Sequence, residues 1–216
     1  MGRVTLLFLN GAILSVCAVF IESERALLLT GLMLFLPLLD RTWDYRKALI
    51  NRSVNAHLCK EKKWLNPHTK PFLLASLFIT GLIIITVNPD YRWFALTSLL
   101  LTALPEEWFF RAYFMTRIEG FFRQDTPPAS QVFNALLFKD VHKKYPNLSA
   151  NILTSSLFAL LHTPTQGWFG LMVFFPSLFY GWAYQKTRNL LLVILLHALS
   201  NIVFVIYISD LIHWRS

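Results

Sequence analysis

LLLVILLHALSNIVFVIYI, residues 190–208, decides what kind of fold this chain adopts. A helix that crosses the hydrocarbon core of a bilayer needs about 17 to 25 mainly apolar residues. This run meets that length without one Asp, Glu, Lys or Arg. Its two strongest polar interruptions, His197 and Asn201, lie four apart and share one helix face. The stretch reads as a membrane helix with a task.

The rest of the chain follows the same grammar. Of 216 residues, 55% are apolar before glycine is counted and 15% are charged. Soluble domains hold about 45–50% apolar residues with glycine included and about 25% charged ones. A soluble globule of this size cannot bury that much apolar surface. The expected fold class is therefore all-α, a polytopic membrane helix bundle. Further candidate spans are 4–21, 26–39, 71–87, 91 to about 115, 148–164 and 168–185. With 190–208 they make about seven transmembrane helices, within a range of six to eight. Residues 4–21 could also be the apolar core of a signal peptide. The length of that run, its single basic lead Arg3 and the lack of a small-x-small pattern before Glu22 favour a retained span. The segment 117–147 is expected to be interfacial or partly re-entrant. No repeat or domain boundary is visible, so residues 1–216 read as a single membrane domain.

The formal net charge of +8 resolves into topology. Sixteen of the 20 Lys and Arg residues fall before the first span or between the second and third, fourth and fifth, and sixth and seventh. The positive-inside rule then puts the N-terminus in the cytoplasm and the C-terminus outside. An excess spent on orientation leaves no case for nucleic acid. Cys17 and Cys59 lie in unlike settings and read as free thiols, which excludes a cysteine-built zinc site.

An ionisable group at mid-membrane costs about 2.5–3.5 kcal/mol on insertion scales, so its presence points to function. Three places qualify. The first is PEEWFFR, residues 105–111. Pro105 is expected to break or kink the span, which would put both glutamates near a helix N-terminus. Glu107 and Arg111 have the spacing of an ion pair, and Glu106, about 100° around the helix, is left free for chemistry. The plainer reading is a cap and ion pair that only stabilise a kink. The second place is Phe158 with His162 on the same face, although a lone histidine near a span's end is commonly interfacial. The third is His197 with Asn201, a pair that could also serve only to bridge helices. His57, His68, His142 and His213 read as solvated, Tyr180 and Tyr184 as packing residues, and Trp93, Trp168 and Trp214 as interfacial belts.

Taken in order, Glu106-Glu107-x-x-x-Arg111, Phe158-x-x-x-His162 and His197-x-x-x-Asn201 resemble the three motifs of the CPBP family. These are the CAAX protease and bacteriocin-processing, or Abi, intramembrane proteases related to the CAAX prenyl endopeptidase Rce1. The resemblance covers about residues 99–205. It implies that Glu106 acts with His162 to activate a water, that His197 and Asn201 hold the oxyanion, and that Glu107, Arg111 and Phe158 support them. It implies no cofactor, although two His and a Glu could ligate zinc with one position open. The implied partners are a lipid bilayer and a membrane-anchored protein or peptide, cut near its C-terminal tail. The implied location is multi-pass in a bacterial inner membrane.

Two other classes use the same residues, a non-catalytic scaffold of this fold and a proton-coupled transporter. The hydrolase requires Glu106, His162, His197 and Asn201 to converge. Glu106 facing lipid, or lying more than about 10 Å from both histidines, would remove it. A linear count puts His162 about 21 Å from the cytoplasmic face and Glu106 about 22 Å from the other, so the motifs meet if helices tilt or break or if the 117–147 segment dips inward.

Overall fold

The computed structural model describes residue 10 and residues 12–14, 25–45, 69–123 and 145–209. All regular structure among them is helical. In chain order the helices are α1 (Arg25–Leu39), α2 (Thr69–Val87), α3 (Pro89–Phe122), α4 (Pro146–Gln166), α5 (Phe174–Thr187) and α6 (Leu190–Ile208), with a 3-10 strap, Gly167–Val173, between α4 and α5. The all-α class stands. By length and composition, α6 is the one described helix able to cross a membrane alone, and α2 with α3 passes as a bent pair. The expected span 4–21 lies outside the described residues except for Asn10 and residues 12–14, and most of the 117–147 segment lies outside them as well.

Pro105 does not break its helix. Backbone torsions at Ala103 and Leu104 stay right-handed helical, and α3 runs on to Phe122. Two stretches with π geometry, Ser98–Ala103 and Trp108–Met115, flank the proline. In the first, the Leu104 N–H reaches back five residues to the Leu99 carbonyl. This wider register accommodates a residue that has no N–H and whose ring crowds the turn before it. The Leu101 carbonyl, four residues before Pro105, accepts the Thr30 hydroxyl of α1 at 2.9 Å. A neighbouring helix thus supplies the donor that proline removed, as apolar surroundings require. The sharp bend lies earlier, where the chain turns through 117° between α2 and α3. Both glutamates consequently sit mid-helix, away from any helix N-terminus, and their partners must be side chains.

The expected span 168–185 is also divided. At Gly167 the chain leaves α4 with φ +58, a conformation that glycine adopts without penalty. The strap then folds back on α4 so closely that a Cβ at Gly170 would lie 2.7 Å from the His162 carbonyl carbon and 2.8 Å from the Thr163 nitrogen. We expect Gly170→Ala to cost about 1–3 kcal/mol as the strap is pushed off α4. Thermal unfolding in detergent checks this.

Phe109, Phe110, Tyr113 and Met115 of α3 form the centre of the core with Phe158, Tyr184 and Val193. Asn10 reaches this core and donates to the Tyr113 hydroxyl at 3.1 Å. Phe35, Phe72, Phe78, Ile83, Trp93 and Phe175 are largely exposed, whereas Ser98, Glu107, Arg111, Asn151, Ser155, Ser177 and His197 are buried. Apolar outside and polar within is the distribution that a bundle facing lipid requires. One end of the bundle is tied by ion pairs, Asp40 with Arg117 at 2.7 Å and Glu119 with Arg188 at 2.6 Å. Gln185 joins the second pair by donating to Glu119 Oε1 at 2.9 Å.

Candidate active site

Helical spacing brings Glu107 and Arg111 onto one face of α3, where both are fully buried and paired at 3.1 Å. One arm of the arginine fork makes the hydrogen bonds, while Nε and Nη1 have no hydrogen-bond partner among the described residues. Its Nη2 donates to the Ser177 hydroxyl at 2.9 Å and to the Ser177 carbonyl at 3.1 Å. Its guanidinium carbon lies 5.0 Å from the centre of the Phe158 ring and 6.0 Å from that of Tyr180. A delocalised, weakly hydrated cation with several donors suits such a site better than an ammonium would.

The Glu107 carboxylate is bound through both oxygens. Oε2 faces Arg111, while Oε1 lies 2.8 Å from His197 Nδ1, reaching from α3 to α6. The imidazole stacks on Tyr180, with centroids 5.0 Å apart and planes 21° from parallel, and has the edge of Phe158 at 6.0 Å. Its other nitrogen, Nε2, stands 3.6 Å from Glu106 Oε2. That exceeds a direct hydrogen bond, and Glu106 Oε2 has no hydrogen-bond partner among the described residues. The Glu106 side chain is 14% exposed and that of Glu107 0%. Of two adjacent glutamates, one is committed to structure and the other is available. Glu106 thus lies beside one of the two motif histidines, His197.

His162 joins the cluster by another route. Its Nδ1 is 2.8 Å from the Phe158 carbonyl one turn back. With a proton on Nδ1 that bond leaves Nε2 as a lone pair. The His162 ring is 4.5 Å from that of Phe158, which therefore touches both histidines and Arg111. No hydrogen bond or ion pair links His162 to Glu106 among the described residues, so the direct neighbour of Glu106 is His197. Asn201, one turn beyond His197, donates to the Ser98 hydroxyl of α3 at 3.2 Å. Glu106 sits near the middle of α3, which spans about 50 Å at 1.5 Å per residue, and Phe158 packs against Arg111, His197 and, near the end of α4, His162.

Ser98, Ser177 and Tyr180 touch the motif residues and were not visible as site residues in the sequence. Ser177 left one signal, a small polar residue in an apolar helix, three before Tyr180 and so on nearly the same face. Zinc does not fit. Among the described residues no group of three or more His, Cys, Asp or Glu could hold a metal ion, and Glu107 is already held by Arg111 and His197.

The arrangement defines a helical bundle with an acid–histidine cluster enclosed behind an apolar surface. The chain belongs to the Rce1-like family: residues 88–203 match the family model described as type II CAAX prenyl endopeptidase Rce1-like. The match starts at the bend before α3 and ends within α6, so it takes in all three motifs and α5. That family is membrane-embedded, and CAAX-type intramembrane peptidase activity is its general property. No curated protein and no solved structure gives a significant match.

Proposed function

We propose that this chain is an intramembrane endopeptidase whose base is Glu106. The observation that carries the reading is a Glu106 oxygen that has no hydrogen-bond partner among the described residues and stands 3.6 Å from His197 Nε2, beside a second carboxylate ion-paired with Arg111. In this reading His197 donates through both ring nitrogens, Nδ1–H to Glu107 and Nε2–H into the space beside Glu106.

A peptide carbonyl entering that space meets His197 Nε2–H, with the Asn201 amide one turn away as a second donor. Glu106 removes a proton from a water, and the hydroxide formed attacks the carbonyl carbon. The oxyanion of the tetrahedral intermediate is held by His197 and Asn201, preorganised donors in a water-poor site. Collapse breaks the C–N bond, and the proton taken by Glu106 passes to the leaving amine. His162, with Nε2 as a lone pair, orients the water from the α4 side. The substrate is a membrane-anchored protein or peptide cut near its C-terminal tail, and a prenylated CAAX peptide is the first to try. The enzyme is a single multi-pass domain of a bacterial inner membrane with its N-terminus in the cytoplasm.

The test uses purified protein in liposomes with a farnesylated C-terminal peptide. His162→Ala and His197→Ala should each slow cleavage by about 10²- to 10⁴-fold, and a chelator should leave the wild-type rate unchanged. Full loss to chelator restored by zinc would establish a metal mechanism instead. No cleavage by the wild-type protein would leave the scaffold reading, and undiminished cleavage in both variants would remove the two histidines from the mechanism.

A further inference from the structure

Helix α5 carries none of the three motifs, yet two of its buried residues close the cluster from the side. Ser177 gives Arg111 Nη2 two acceptors, its hydroxyl and its carbonyl. Arg111 holds Glu107 Oε2, and Glu107 Oε1 holds His197 Nδ1. This line runs from α5 through α3 to α6. It fixes where His197 Nδ1 points, but a single hydrogen bond still lets the imidazole swing about its axis. The Tyr180 ring, stacked within 21° of parallel, removes that freedom. We propose that Ser177 and Tyr180 are positioning residues that lock His197 with Nε2 toward Glu106, making α5 part of the catalytic apparatus. The proposal rests on the peptidase reading above.

The seating of α5 against α4 agrees with that role. A Cβ on Gly181 would overlap Asn151 Oδ1, and Asn151 Nδ2 donates to the Leu178 carbonyl at 3.0 Å. Leu178 follows Ser177 and Gly181 follows Tyr180, so α4 sets the height of both positioning residues within a narrow tolerance. Displacement of a catalytic group by even about 1 Å costs on the order of 10²-fold in rate, and therefore a residue two bonds removed can be felt in turnover.

The experiment is a double-mutant cycle on the cleavage reaction in liposomes, with kcat and KM measured separately. Ser177→Ala should lower kcat about fivefold with KM unchanged, and should have no further effect in a Glu107→Gln background, because its influence passes through that carboxylate. Tyr180→Leu should lower kcat about tenfold or more, and Tyr180→Phe, which keeps the ring, should restore most of that loss. A full Ser177→Ala effect in the Glu107→Gln background overturns the proposal for Ser177. A Tyr180→Phe protein as slow as Tyr180→Leu overturns it for Tyr180, since the hydroxyl and not the ring plane would then matter. Both conservative variants keep the volume of the site. A wild-type protein that cleaves no such peptide removes the peptidase reading itself. An active wild type with kcat unaffected in these variants removes only the positioning role.

Discussion

Glu106→Gln will slow peptide cleavage by about 10³-fold or more while the protein folds as before. The amide keeps the shape of the side chain and can still reach His197 Nε2, but it cannot take a proton from water. Positioned general bases contribute about 10²- to 10⁴-fold, and among the described residues no hydrogen bond or ion pair joins Glu106 to His162, the other candidate base. Stability should survive, since the buried ion pair belongs to Glu107 and Arg111. The cleavage rate and the thermal unfolding midpoint of the same preparation check both halves. A near-normal rate would move the base to His162, and a collapsed fold would make Glu106 a structural residue.

Arg111→Met carries the largest expected effect on stability. It leaves Glu107 fully buried with its cationic partner gone, and it strips Ser177 of its donor and the Phe158 face of its cation. Removing one member of a buried pair costs about 3–5 kcal/mol, because an uncompensated charge remains. Activity should fall as well, since Glu107 would no longer be held for His197. The double variant Arg111→Met/Glu107→Gln should recover much of the stability, as replacing both members often does, but not the activity. Unfolding midpoints in detergent read the first effect and cleavage reads the second. An Arg111→Met protein as stable as wild type would contradict the buried-pair account.

The sequence signals were strongest where a local rule had no competitor. The run 190–208 became α6 with the same bounds, because an uninterrupted apolar stretch bounded by the Asn189 cap, which accepts the Leu192 N–H at 3.2 Å, has one sensible conformation. Glu107 and Arg111 met because i,i+4 geometry is set by the helix itself. Pro105 shows the opposite case. Its local rule says break, but the Thr30 hydroxyl and a π register outweigh it. Neither is visible without α1 in place. The division of 168–185 likewise depends on the closeness of Gly170 to the α4 backbone.

Within the site, residue types and order singled out side chains worth following, but not who touches whom. Glu106 is expected to act with His162 and lies beside His197, while His162 packs on the Phe158 ring. Tyr180 read as packing, since a tyrosine in an apolar helix carries no mark of the imidazole it will stack against.

Mass spectrometry of a farnesylated C-terminal peptide, incubated with the purified protein in liposomes, tests the central claim most directly. The account predicts one new pair of fragments from cleavage of one peptide bond near the prenylated end with the wild-type protein, and intact peptide with Glu106→Gln under the same conditions. The same fragments at the same rate from Glu106→Gln would contradict it.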